Sequence, residues 1–152
     1  MKKLLFSAIF IAVGAAIAVW GFGVLKKSKE SATWPAVEGT VVFSDVIRET
    51  KRSDGKRKVI YKAEVLYDYV VDGTAYSANK VSFVQGGSSN PGPARQIATY
   101  YSAGKRVPVY YDPVRPDTAV LEPGVTWKSY LPLGGGLLFI LAGVGVLFGG
   151  RR

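Results

Sequence analysis

Residues 4–25, LLFSAIFIAVGAAIAVWGFGVL, and residues 130–150, YLPLGGGLLFILAGVGVLFGG, contain no Asp, Glu, Lys or Arg. The hydrocarbon core of a bilayer, roughly 30 Å thick, takes about 20 helical residues at about 1.5 Å each, and both runs reach that length. A water-soluble domain spreads its apolar residues at strand or helix periods. Here they gather at the two ends and the charges lie between them. The pattern predicts an integral membrane protein: two transmembrane helices, one at each end, holding a small, mostly β domain on one side of the bilayer. The expected divisions are a short tail at 1–3, a first span at 4–25, a linker at 26–33, the β domain at 34–125, a linker at 126–129, a second span at 130–150 and a tail at 151–152.

Working outward from the first span, Lys2 and Lys3 before Leu4, Leu5 and Phe6 also resemble the start of a secretory signal, and Ala16, Ile17 and Ala18 a cleavage site. A signal core is about 7 to 15 residues long, whereas this apolar run continues through Trp20 and Phe22 to Lys26 and Lys27. An uncleaved anchor is therefore expected. Of the 20 Lys and Arg, eight flank the spans: Lys2, Lys3, Lys26, Lys27, Lys29, Lys128, Arg151 and Arg152. That leaves 12 basic residues against 10 acidic ones in the domain, so the net charge of +9 marks membrane boundaries and gives no argument for nucleic acid as a partner. Two spans put both termini on one side. The flanking charges balance between the two sides. The free amino group, the dilution of the loop cluster by Glu30 and the basic entry of the first helix favour cytoplasmic termini and an extracytoplasmic domain in a multi-pass cell-membrane protein.

Aromatic residues near the water ends of the spans, Trp20, Trp34, Trp127 and Tyr130, are the expected membrane-interface anchors, because amphipathic rings settle at head-group level. Small residues recur at helical spacing at Ala8, Ala12 and Ala16 and at Gly145 and Gly149. These are candidate helix-packing positions, in a hairpin or an oligomer, unless they reflect only the ordinary composition of membrane helices.

Between the spans, residues 36–49 are rich in Val, Ile and Thr and read as a strand. A polar stretch at 49–58 contains a turn at Asp54 and Gly55. In residues 59–71 the odd positions Val59, Tyr61, Ala63, Val65, Tyr67, Tyr69 and Val71 are apolar or aromatic, while Lys62, Glu64 and Asp68 occupy the other face. Period two makes the odd face the expected core side. Asp72 and Gly73 suit a tight hairpin turn, because both central positions need positive φ. A third strand is expected at 74–84 and a Gly/Pro-rich loop at 85–93. A short helix follows at 94–103, with Ile97, Tyr100 and Tyr101 on one face and Gly104 as its cap. Strands at 107–111 and 118–121 complete the domain. Five short strands with a helix between the third and fourth match the order of an OB-like barrel, and a curled sandwich would read the same way.

Five groups of residues stand in a distinctive order: Trp34 and Pro35; Gly39, Thr40 and Val41; Tyr67, Tyr69, Asp72, Gly73 and Tyr76; Gly104, Val107, Val109, Tyr111, Asp112, Pro113 and Pro116; and Ala119, Val120, Leu121 and Glu122. Together they resemble the bacterial domain-of-unknown-function family three-five-nine-two, whose members carry this pattern between two hydrophobic segments. The resemblance covers nearly everything from Trp34 to Glu122, departing at the basic hairpin tip. It implies the architecture and brings no activity, substrate or catalytic residue.

The chain has no His and no Cys, which removes the commonest general base, the usual zinc ligands and the thiolate nucleophile. Glu64 and Asp68 share a strand face, but four residues along a strand separate their Cα atoms by about 13 Å. Asp112 reads as a turn cap before Pro113. The glycine-rich loop lacks the Lys and Ser/Thr that end a phosphate-binding loop. No enzyme activity and no cofactor is therefore expected. Arg48, Lys51, Arg52, Lys56, Arg57 and Lys58 make the first hairpin tip basic. It is either a solvated tip or, at Lys51, Arg52, Lys56, Arg57 and Lys58, a candidate contact with anionic head groups or an acidic partner. The expected function is a non-enzymatic, membrane-anchored interaction or scaffold module of the cell envelope. Its partners are membrane lipid and a protein partner or a second copy of the chain. The alternatives are an accessory subunit of an envelope enzyme complex and a lipid-binding envelope protein.

Overall fold

The computed structural model describes residues 2–149. Met1, Gly150, Arg151 and Arg152 lie outside the described residues, and with them part of the charge used above to weigh orientation. The chain divides into two compact units, one made of its two end segments up to Ala32 and from Gly124, the other of Thr33–Pro123.

In the first unit, helix α1 (Lys2–Ser31) packs against a short 3-10 helix (Trp127–Tyr130) that leads into helix α3 (Leu131–Phe148). Lys2–Ser31 and Trp127–Phe148 are both long and apolar enough to cross a membrane. Pro132 stands in the first turn of α3, where its missing N–H breaks no helical bond. α1 continues as helix through Lys26 and Lys27 to Ser31, over residues that read as linker. The extension is tied down by side chains: Ser31 Oγ donates to Ser28 O at 2.8 Å and accepts from Gly124 N at 2.9 Å, and Ser129 Oγ lies 3.5 Å from Ser28 Oγ.

The two helices meet along small residues seven apart. Ser7, Gly14, Gly21 and Ser28 are buried on α1, facing Ser129, Gly136 and Gly143 on the other segment. A seven-residue repeat, 3.5 residues per turn, keeps one face on the partner as two helices wind about each other. The approach is close enough that a Cβ on Gly14 would lie 2.9 Å from Gly136 O, one on Gly21 2.6 Å from Leu133 N and one on Gly136 2.6 Å from Ala18 N. Ser7 Oγ donates to Gly143 O. Phe10 and Phe139 stack beside this seam with ring centroids 5.9 Å apart.

The second unit is one antiparallel sheet in the order β3-β2-β1-β4-β5: β1 (Ala36–Ser53), β2 (Lys56–Val71), β3 (Thr74–Ala78), β4 (Arg106–Tyr111) and β5 (Ala119–Val120). Helix α2 (Gly92–Tyr100) lies between β3 and β4 in sequence and packs on β1 and β2. Both tight turns are built by Asp-Gly pairs with positive φ, Asp54 (51°) with Gly55 (73°) and Asp72 (50°) with Gly73 (79°). This geometry matches the twist of the strands it joins. The odd face of β2 is the core side: Ala63, Val65, Tyr67, Tyr69 and Val71 are buried with Val41, Val81, Tyr101, Val107, Val109, Ala119 and Leu121.

Three details depart from the period-two reading. β1 carries a bulge: Val41 pairs with Tyr67 and Phe43 with Leu66, leaving Val42 unpaired. β3 stops at Ala78, short of the expected Val84, and the chain past it turns inward at Val81. Val81 O then accepts from both Leu121 N (3.1 Å) and Glu122 N (2.7 Å). At the end of α2, Tyr101 is buried while Tyr100 points outward, with Lys105 Nζ 3.8 Å from its ring centroid.

Candidate functional site

β1 and β2 are the longest strands, and most of their length pairs with nothing else. β4 joins β1 only over residues 36–40, and β3 joins β2 only over residues 67–71. Beyond the bulge the pair runs on as a two-stranded ribbon, supported on one side by α2, where Ser44 Oγ donates to Ala98 O at 2.9 Å. On the other side the Gly-rich loop is pinned to β2. Tyr61 and Ser88 exchange backbone hydrogen bonds of 2.7 and 3.0 Å, and Gln85 Nε2 donates to Ala63 O at 2.8 Å. The loop covers what would otherwise be an open sheet edge. Gly87 lets it approach, since a Cβ there would collide with the side chains of Ile60 and Lys62.

Past Tyr61 the ribbon stands alone and its chemistry changes. Register sets Thr50 opposite Val59, Lys51 opposite Lys58, Arg52 opposite Arg57 and Ser53 opposite Lys56. Two successive rungs thus place like charges face to face, an arrangement that destabilises a ladder. Lys51, Arg52, Lys56, Arg57 and Lys58 are all exposed, and none forms an ion pair among the described residues. The ribbon's acidic partner sits further down: Lys62 Nζ lies 2.9 Å from Glu49, and this ammonium, with Lys51 adding its charge, holds the Glu49 carboxyl below the usual carboxylate range.

At the base of the ribbon the interior is built from tyrosines. Tyr67 OH lies 2.8 Å from Lys80 O and 3.0 Å from Ala119 O, so its one proton is shared between two carbonyls. Tyr69 OH donates to Pro116 O at 2.6 Å, and Tyr101 OH to Glu122 Oε1 at 2.9 Å. Tyr76 stacks on Tyr69 at 5.7 Å. These bonds tie β2 and the end of α2 to the chain around β5. Burial raises all three hydroxyls. Tyr69 is pushed up to about 12, with the charge of Asp117 adding to the effect. Tyr67 rises further by burial, and in Tyr101 the bond to the Glu122 carboxylate reinforces the desolvation. Hydroxyls held protonated against backbone carbonyls act as struts. Among the described residues no group of three or more acidic side chains is placed to hold a metal ion.

The interface aromatics fall in both units. Trp20 is exposed on α1 next to Gly21, level with Leu133 on α3, and Trp127 and Tyr130 are exposed on the short helix just before. Trp34 is half-buried against Phe83, ring edge to face with centroids 5.6 Å apart. The small residues Ala8, Ala12 and Ala16 lie on the outward surface of α1, and a Cβ on Gly145 would meet nothing within 4 Å. A Cβ on Gly149 would meet only its own helix, at Gly145. The contact between the helices runs through the seven-residue set instead.

Sequence reasoning also overlooked the bulge and the pinned loop. The seven-residue spacing of Ser7, Gly14, Gly21 and Ser28 is visible in the sequence, but only alongside Ser129, Gly136 and Gly143 does it become a signal. The bulge leaves no such trace, because Val41, Val42 and Phe43 are all apolar.

A small antiparallel five-stranded sheet with one inserted helix, flanked in sequence by two apolar helices, defines the class of protein. Its sequence places it further. A family model described as domain of unknown function (DUF3592) matches residues 37–126, and the chain belongs to that family. No curated protein matches the chain.

Proposed function

We propose that the chain is a non-enzymatic interaction module of the cell envelope. In this reading α1 and α3 cross the membrane as a hairpin, both termini face the cytoplasm, and the β domain presents its sheet to a protein partner on the extracytoplasmic side. The domain is taken as an OB-like, partly closed barrel. Its strand order, the helix between β3 and β4, and the two hydrogen bonds to Val81 O across the remaining gap support that reading.

The bulge at Val42 is the observation that carries the interaction. It leaves Val42 and Phe43 46% and 47% exposed beside Leu66 at 36%, on the side of the sheet away from the tyrosine core. A sheet face with exposed apolar side chains set together suits a protein surface. The neighbouring edge strand β3, Thr-Ala-Tyr-Ser-Ala, has no charge, proline or bulge to discourage pairing. A photoreactive amino acid at Phe43 or at Ala75, in the full-length chain in cells, is expected to give a discrete crosslinked product, either one other protein or a second copy. Diffuse adducts from both positions, equal to those from exposed Val114, would remove the interaction. Turnover of any substrate by the purified chain would overturn the non-enzymatic part.

A further inference from the structure

We infer that the tip of the β1–β2 ribbon is a docking element for anionic phospholipid head groups. Four observations converge on it. Lys51, Arg52, Lys56, Arg57 and Lys58 are exposed and lack ion pairs among the described residues. The register forces Lys51 onto Lys58 and Arg52 onto Arg57, so the free tip carries a repulsion that a counter-charge relieves. Successive residues of a strand point to opposite faces. The Lys51 and Lys58 pair therefore occupies one face of the ribbon, the Arg52 and Arg57 pair the other, and Lys56 lies beside the turn. Finally, residues 50–58 include no aliphatic or aromatic side chain, and Asp54 is their only acid.

These features select among anionic partners. Protein interfaces draw their affinity from a few aromatic or arginine anchors seated in pockets. Residues 50–58 offer no apolar anchor, and their like-charged pairs lie on two opposite faces of the ribbon. A layer of mobile head groups can surround the ribbon's end and neutralise both faces together, with no demand for shape. Attraction of this kind adds up charge by charge near an anionic bilayer and fades within a Debye length, about 8 Å at physiological ionic strength. The inference rests on the membrane anchoring proposed above.

The absence of cysteine makes the test direct, because one introduced thiol can be labelled alone. The full-length chain carrying Ser53→Cys with a fluorophore is reconstituted into vesicles of phosphatidylcholine alone or mixed with phosphatidylglycerol. A quencher is attached to the lipid head groups. Quenching is expected in the mixed vesicles, and raised salt should abolish it. Lys56→Gln, Arg57→Gln and Lys58→Gln together should weaken the contact, by about fivefold per charge removed. Lys56→Glu, Arg57→Glu and Lys58→Glu should abolish it, and far-ultraviolet circular dichroism of the β-sheet reports that the domain stays folded. If the Glu variant unfolds, the Gln variant decides alone. Equal quenching in neutral and mixed vesicles, or undiminished quenching in the Gln variant, overturns the proposal. So does displacement of the tip by a soluble acidic peptide in neutral vesicles, which would assign the tip to a protein. A chain that floats with the vesicles and resists carbonate extraction yet shows no quenching sinks the tip alone. Failure to insert at all removes the anchoring reading.

Discussion

Between α1 and α3 the residues that meet are Ser7, Gly14, Gly21, Gly136 and Gly143; inside the β domain they are Tyr67, Tyr69, Tyr101, Val65 and Val109. One interior is assembled from the absence of side chains and the other from their bulk. In water, covering a large ring is itself the driving force, at roughly 25 cal/mol per Å² of apolar surface. Hydrocarbon around a helix pair offers no such gain. Association there depends on close backbone approach and on polar contacts such as that of Ser7 with Gly143 O. The two cores thus fit the two solvents proposed for them. They should also fail in opposite ways, the helix pair when volume is added and the sheet when it is removed.

The sharpest break is expected from Tyr67→Ala. Emptying the position of a fully buried ring that touches two carbonyls should cost about 3–5 kcal/mol, read from denaturant unfolding of the full chain in detergent by tyrosine circular dichroism. Gly136→Leu follows. Its first carbon would fall 2.6 Å from Ala18 N, and overpacking of about 1–3 kcal/mol or more should separate the helices. Gly145→Leu, where a Cβ meets nothing within 4 Å, should leave thermal stability in detergent unchanged. If the two leucine variants behave alike, the seven-residue seam is not what joins the helices.

Tyr67→Phe keeps the volume and strips only the hydroxyl. It should cost about 1–3 kcal/mol by leaving Lys80 O and Ala119 O without their donor. The same hydroxyls make the β domain sensitive to alkali. Tyr69 releases its proton at about 12 when folded against an ordinary 10 in the unfolded chain. Its contribution is therefore complete below pH 10 and disappears as pH rises from 10 through 12. Tyr69→Phe should flatten that decline, whereas the helix pair, which has no tyrosine in its seam, should hold its thermal stability across the same range. The smallest effect belongs to the ribbon. Lys58→Glu replaces a like-charged rung with an opposite-charged one and should stabilise the domain by a few tenths of a kcal/mol at low salt, vanishing as salt is raised.

Much of the fold was legible before any coordinates. The odd positions of β2 alternate so regularly that its buried face follows from period two, and Asp54 with Gly55 and Asp72 with Gly73 mark their turns by the backbone angles they tolerate. β5 and α2 were legible in outline, the latter from the apolar face of Ile97 and Tyr101, although α2 ends at Tyr100 and is capped at Tyr101, with Gly104 three residues beyond the cap. The basic tip was legible in its composition and in the turn that makes it. Its basic residues are plain in the sequence, but that Lys51 faces Lys58 depends on register, and the turn at Asp54 and Gly55 sets that register. The seam between the helices follows a seven-residue spacing, whereas the four-residue repeat of Ala8, Ala12 and Ala16 lies on the exposed surface of α1; which face packs within the chain is chosen by the partner helix.

The sequence by itself determined the segregation of apolar ends from a charged middle, the inward face of β2 and the positions of the hairpin turns. Each of these rests on the chemistry of neighbouring residues. The tertiary structure alone decided that Val42 would bulge, that Gln85 and Ser88 would close the edge of β2, that Val81 would be shared by Leu121 and Glu122, and that Gly14 would lie against Gly136. Those contacts join residues far apart in the chain, and only their common packing selects one arrangement from the many that local preference allows.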